Sequence, residues 1–172
     1  MWNLGGRVSE VADRDKAQRD LLWGMYTDTR AHARHAETLR ANAVNIVIVV
    51  SSAMVAVITS TGGEVNRDDL PLTLLLVLVG FIGLAFAAAY TELYHRNRLR
   101  AEWLRAILDE RFFAMGDPTI TEALAASDKR HQGTRLYRWS RRLTGSTHRF
   151  WRWVPILVFL AGVGLTAIAL RT

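Results

Sequence analysis

Two groups of residues have types and spacings that could do chemistry. His32 and His35 stand three apart, so on a helix both imidazoles would share a face. Two nitrogen ligands can begin a metal site, but a closed one needs further ligands and groups that orient them. No HExxH unit accompanies them, the chain has no cysteine, and His95, His131 and His148 are isolated. Asp68 and Asp69 form a carboxylate pair in a short polar stretch, a position that equally suits a simple loop. No G-x-S-x-G, P-loop or glycine-rich dinucleotide fingerprint occurs. The expectation is therefore solvated histidines, no catalytic residues, no metal ligands, no cofactor, and a protein that is not an enzyme.

The elements that would carry these residues explain why. Half of the 172 residues are hydrophobic while mean hydropathy is only +0.07, so the apolar residues must be concentrated. Three runs free of charge hold them: "AVNIVIVVSSAMVAVITST" (43–61), "LPLTLLLVLVGFIGLAFAAAY" (70–90) and "VPILVFLAGVGLTAIAL" (154–170). Runs of about 17–25 apolar residues match the hydrocarbon core of a bilayer. Buried helices of a soluble domain are the rival reading, but too little chain remains to cover three such runs. The first run follows a charged segment of some forty residues, unlike a secretory signal peptide.

Basic residues set the orientation. Residues 1–41 carry seven Lys and Arg, the loop between the first two runs carries Arg67 alone, residues 92–153 carry thirteen, and Arg171 follows the third run. The rule that positive flanks stay inside puts the N-terminus and residues 92–153 in the cytoplasm, and the loop and C-terminus outside. It also accounts for the sequence pI near 10.5, so direct nucleic-acid binding is not expected.

The expected fold is an all-α membrane protein with three transmembrane helices, the first two continuing as long cytoplasmic helices in an antiparallel hairpin. A cytoplasmic helix over 1–41 leads into a first span over 42–61, an outside loop over 62–70 and a second span over 71–91. From Pro71 to Gly116 nothing breaks the helical pattern. That length, roughly 65 Å at 1.5 Å per residue, exceeds a hydrocarbon core of about 30 Å, so residues 92–115 continue into the cytoplasm. Leu93, Leu99, Trp103, Ala106, Ile107 and Leu108 give that continuation an apolar stripe. Val11, Leu21, Leu22, Met25, Tyr26 and Leu39 do the same on the N-terminal side, where Gly24 is the weak point. Glu92 with Arg96 and Glu102 with Arg105 suit surface pairing, and Tyr90 and Tyr94 an aromatic belt. A connector over 116–153 holds a short helix near "ITEALAASDKR", capped by Thr119 or Thr121. The third span covers 154–170.

Two surfaces stand out as candidate sites. In the first span Asn45, Ser52 and Thr59 recur at sevens, with Asn42 and Ala56 close to the same face. Such residues either let helices pack and hydrogen-bond in lipid or line a watery path. Before the third span, Arg138, Trp139, Arg141, Arg142, Arg149, Trp151, Arg152 and Trp153 alternate cation with indole. That mixture reads as an interfacial anchor on anionic lipid, or as a cytoplasmic docking surface. No ionisable residue falls inside the apolar runs, which argues against a proton-coupled transporter.

From about Tyr26 to Phe113 the chain resembles the SLATT superfamily of bacterial membrane effectors. The matching features are the charged helix "RAHARHAETLRAN" running into a span, the short outside loop, and the exit helix "ELYHRNRLRAEWLRAILDE". The arrangement is also similar to the transmembrane effectors of cyclic-pyrimidine defence systems. The resemblance implies an oligomer that perforates or depolarises the inner membrane when a partner senses infection. The third run departs from the two-span pattern. The expectation is thus an inner-membrane homo-oligomer in contact with lipid, with a cytoplasmic sensor or enzyme protein as a further candidate partner. The alternative is a non-conducting anchor that recruits such a partner.

Overall fold

A computed structural model describes residues 4–60, 64–113, 118–135, 137–138 and 147–172. Every regular element among them is helical. Helix α1 spans Leu4–Ser60, a 3-10 turn Arg67–Asp69, α2 Leu70–Phe112, α3 Ile120–Gln132 and α4 Thr147–Ala169. Among the described residues, α1, α2 and α4 are long and apolar enough to cross a membrane.

The placement of proline explains the boundaries. None occurs before Pro71, and α1 runs 57 residues through Gly24 without a break. Pro71 is the second residue of α2, where its missing N–H was not needed. Asp69 ends the turn before α2, accepting from the Asn66 N–H at 3.0 Å. Thr119 caps α3: its hydroxyl accepts from the Glu122 N–H at 3.1 Å while the Glu122 carboxylate accepts from the Thr119 N–H at 3.0 Å. Helix α4 begins at Thr147, ahead of the apolar run 154–170, so Pro155 falls inside it.

The chain forms two compact units, and α1 and α2 each contribute to both. One comprises residues 35–93 with α4. There, α1 buries Ala36, Arg40, Val44, Val47, Ser51, Met54 and Ile58, and α2 buries Thr73, Leu76, Gly80, Gly83, Ala87 and Thr91. Both rows recur at three- and four-residue steps, the spacing of one helix face. Arg40 reaches Thr91, and Val47 lies against Gly83, so contacts step forward along α1 as they step back along α2. Glycine lets α4 approach α2 backbone to backbone. A Cβ on Gly80 would lie 2.5 Å from the Phe159 nitrogen, and one on Gly162 would lie 2.7 Å from the Val77 nitrogen. At the end of α4, the Thr172 hydroxyl donates to the Val65 carbonyl at 3.2 Å.

The other unit comprises residues 4–34 and 94–138. Its buried face on α2 is Asn97, Ala101, Leu104, Leu108 and Asp109. This differs from the expected stripe in an instructive way. Leu108 is buried, but Leu99 and Trp103 are 65% and 71% exposed. The helix turns Ala101 inward instead, a residue whose small side chain permits close packing. Off this buried face, Arg98 pairs with Glu102 at 2.9 Å, four residues apart.

Candidate functional site

Helix α1 presents different residues to its own chain and to the outside. Its buried row is fixed by the packing of residues 35–93 described above. The polar stripe lies off that row: Asn42, Asn45, Ser52, Ala56 and Thr59 are all exposed. Thr59 meets its hydrogen-bonding need locally, donating to the carbonyls of Val55 at 3.0 Å and Ala56 at 3.2 Å. Ser52 and Ala56 line one groove, shared with Leu76, Val158 and Ala161, of about 390 Å³. Asn42 lines another groove of about 390 Å³ on the other flank of α1, whose walls are otherwise almost wholly apolar and end at Phe86 and Tyr90. The rings of Phe86 and Tyr90 stack at 6.1 Å. The structure thus brings Ser52 and Ala56 together in one groove and leaves Asn42 on the opposite flank.

Two residues of the buried row carry polar chemistry that periodicity alone does not reveal. Arg40 is 3% exposed, one turn ahead of the first apolar run. Its Nη1 donates to the Thr91 hydroxyl oxygen at 3.5 Å, and the Thr91 hydroxyl donates in turn to the Ala87 carbonyl at 2.6 Å. Burying a guanidinium costs desolvation, so this layer must be held by polar partners. The signal was available: Arg40 lies four residues before Val44 and seven before Val47, on the row they define. The second is Ser51. It is 6% exposed, lines the same groove as Ser52, and its hydroxyl has no hydrogen-bond partner.

In the other unit, one carboxylate holds α3. Asp109 accepts from the backbone N–H of Ile120 at 2.8 Å, from that of Thr121 at 3.0 Å, and from the Thr121 hydroxyl. Those are donors of a helix first turn, where anions are favoured. Burial pushes the Asp109 carboxyl up, but the Thr121 hydroxyl, the two backbone donors and the nearby Arg105 charge outweigh it and hold it below its usual range. Of the two threonines that could cap α3, Thr119 is the cap and Thr121 binds Asp109.

The basic and aromatic segment is described in part. Arg138, Arg152 and Trp153 are exposed, and Trp151 is half-buried. Trp139, Arg141 and Arg142 lie outside the described residues, as does the side chain of Arg149. His32 is exposed and pairs with Asp28 at 3.5 Å, and His35 is exposed. Among the described residues no three His, Asp or Glu groups converge on a point where a metal could sit.

No protein-family model matches the chain, and neither a curated protein nor a solved structure matches it. The function must therefore be argued from these surfaces.

Proposed function

We propose that this chain is an inner-membrane protein of bacteria that assembles with copies of itself and permeabilises or depolarises the membrane when activated. In this reading α1, α2 and α4 cross the bilayer at 42–61, 71–91 and 154–170. The N-terminus and residues 92–153 are cytoplasmic, following the excess of Lys and Arg on those flanks. Helices α1 and α2 form an antiparallel hairpin whose cytoplasmic halves can pass a tilt or rotation into the spans.

The observation that carries the reading is the exposure of Asn42, Asn45, Ser52 and Thr59 on an otherwise apolar segment. Facing lipid, an amide without a partner is costly. Facing another copy, or a water path formed between copies, it is satisfied. Three thin spans cannot enclose such a path alone, so the path requires an oligomer. The resemblance to SLATT effectors supports the same reading and suggests a role in antiphage conflict.

A second reading, an anchor that recruits a cytoplasmic protein, is favoured by one observation. Leu99 and Trp103 lie exposed on consecutive turns of α2, beyond the apolar run. Ion flux from liposomes separates the two. The permeabilising reading expects leak from the wild type that Asn45→Leu/Ser52→Leu abolishes. Leak unchanged in that variant contradicts the placement of the path. A wild type that stays tight in every condition while retaining a soluble partner supports the anchor.

A further inference from the structure

The two grooves that flank α1 have the same volume, about 390 Å³, and walls of different kinds. Ser51, Ser52, Ala56 and Ala161 give the first a small-residue lining. The second is walled by Leu39, Ile46, Val50, Ile82 and Phe86, with Ala43 its one small residue. Its polarity is confined to one end. Arg40 meets Thr91 and Val47 lies against Gly83, so Asn42 and Tyr90 stand at one level and Val50 and Val79 at the other end. No hydrogen bond joins the Asn42 amide or the Tyr90 hydroxyl to another described residue. From Asn42 to Val50 the groove follows α1 for about 12 Å at 1.5 Å per residue. That approaches the depth of one leaflet, half of a hydrocarbon core of about 30 Å.

We infer that this groove binds one acyl chain of a diacyl phospholipid from the cytoplasmic leaflet, with Asn42 and Tyr90 donating to the ester and phosphate oxygens at its head. The inference rests on the membrane reading above and adds a ligand to it. An amphiphile matches a groove that is polar at one end and apolar beyond. Ester and phosphate oxygens are acceptors, and the Asn42 amide and Tyr90 hydroxyl supply donors. The helix of a second copy fits less well. Close approach of backbones in lipid needs small residues, and Ile46 and Phe86 stand exposed on the two walls where such a helix would lie. The volume falls within the roughly 300–1,000 Å³ that small molecules occupy. The lining is a small fraction of the roughly 800 Å² that each partner of a stable protein interface buries. In this assignment Asn42 leaves the polar stripe, and Asn45, Ser52 and Thr59 remain for the path proposed above.

The test uses the full chain in phosphatidylcholine vesicles that carry a trace of phosphatidylcholine with a diazirine midway along one acyl chain. The vesicles are irradiated and the labelled residues mapped by mass spectrometry. Val49 and Leu78 are the comparison. They are 68% and 49% exposed, beside 64% for Ile46 and 43% for Ile82, and they line neither groove. Bulk lipid alone labels in proportion to exposure. A bound chain labels Ile46 and Ile82 several-fold above Val49 and Leu78. Ile82→Trp, which fills the groove, should bring Ile46 down to the level of Val49. Tyr90→Phe keeps the ring beside Phe86 and removes only the hydroxyl. Combined with Asn42→Leu, it should lower the phospholipid retained per chain in detergent about three- to tenfold, the size of hydrogen bonds in lipid.

Labelling that follows exposure overturns the site and leaves the membrane reading standing. Labelling at Ile46 and Ile82 that drops below the comparison as protein density rises overturns it in favour of a second copy. Retention unchanged in Tyr90→Phe/Asn42→Leu overturns the role given to the polar end. Absence of label from all three apolar runs removes the membrane reading itself.

Discussion

The glycine crossings of the unit containing residues 35–93 and the carboxylate clasp of the unit containing α3 are two ways of joining helices, and they fail under different conditions. Gly80 and Gly162 join α2 to α4 by shape: backbones approach where no side chain stands between them. Asp109 joins α3 to α2 by charge, one ionised oxygen pair against two backbone donors and a hydroxyl. Shape complementarity is indifferent to pH and intolerant of a methyl group. A charged clasp tolerates changes of volume and depends on ionisation. The first suits an apolar surround, where dispersion and small residues drive association; the second suits water.

The sharpest break falls on the glycine crossing. Gly80→Leu pushes a side chain into the Phe159 backbone and should destabilise the α2–α4 contact by about 3 kcal/mol or more, read as a lowered unfolding temperature in detergent. Retention of the wild-type value would mean the helices do not approach as described. Next is the buried cation. Thr91→Val removes an acceptor from Arg40 at almost constant volume and should cost about 1–3 kcal/mol, whereas Thr91→Ser should keep most of the stability. Equal loss in both would assign the effect to packing.

The clasp is tested by pH. Because the folded Asp109 carboxyl titrates below its unfolded value, its contribution is present above the unfolded carboxylate range and lost as pH falls through the folded value. Attachment of α3 should therefore weaken below about pH 4, seen as faster amide exchange across Ile120–Gln132. Asp109→Asn should show weakened protection already at neutral pH and lose the acid transition. An unchanged acid transition in that variant would assign it to another group. The smallest effect is expected at Gly24, whose surroundings hold nothing within 4 Å. Gly24→Ala should stabilise α1 by about 0.5–1 kcal/mol, visible as greater helicity or slower exchange around that residue.

The helices were legible in the sequence because proline and hydropathy are local signals. Pro71 marks the start of α2, and Thr119 with Glu122 marks α3. The pairing of faces was less legible. On α2 the expected stripe named Leu99, Trp103 and Leu108 together, yet of these Leu108 alone joins the buried row of Asn97, Ala101 and Leu104. On α1 the conspicuous polar residues Asn45 and Ser52 lie exposed, while the buried polar residues are Arg40 and Ser51. A stripe defined by unusual residues is not the same as a stripe defined by contact, and only the partner helix decides which one is buried. Gly80 illustrates the limit, since nothing local marks it as the residue facing Phe159. Asp109 illustrates it again, eleven residues ahead of the Ile120 N–H that it accepts from.

The account divides α1 into a row that holds its own chain together and a stripe that does not. Thermal unfolding of Asn45→Leu/Ser52→Leu beside Gly80→Leu, in detergent dilute enough to keep the chain monomeric, tests that division most directly. The stripe variant should unfold at the wild-type temperature while Gly80→Leu unfolds well below it. Comparable losses in both would contradict the account and make the stripe part of the internal packing of the chain.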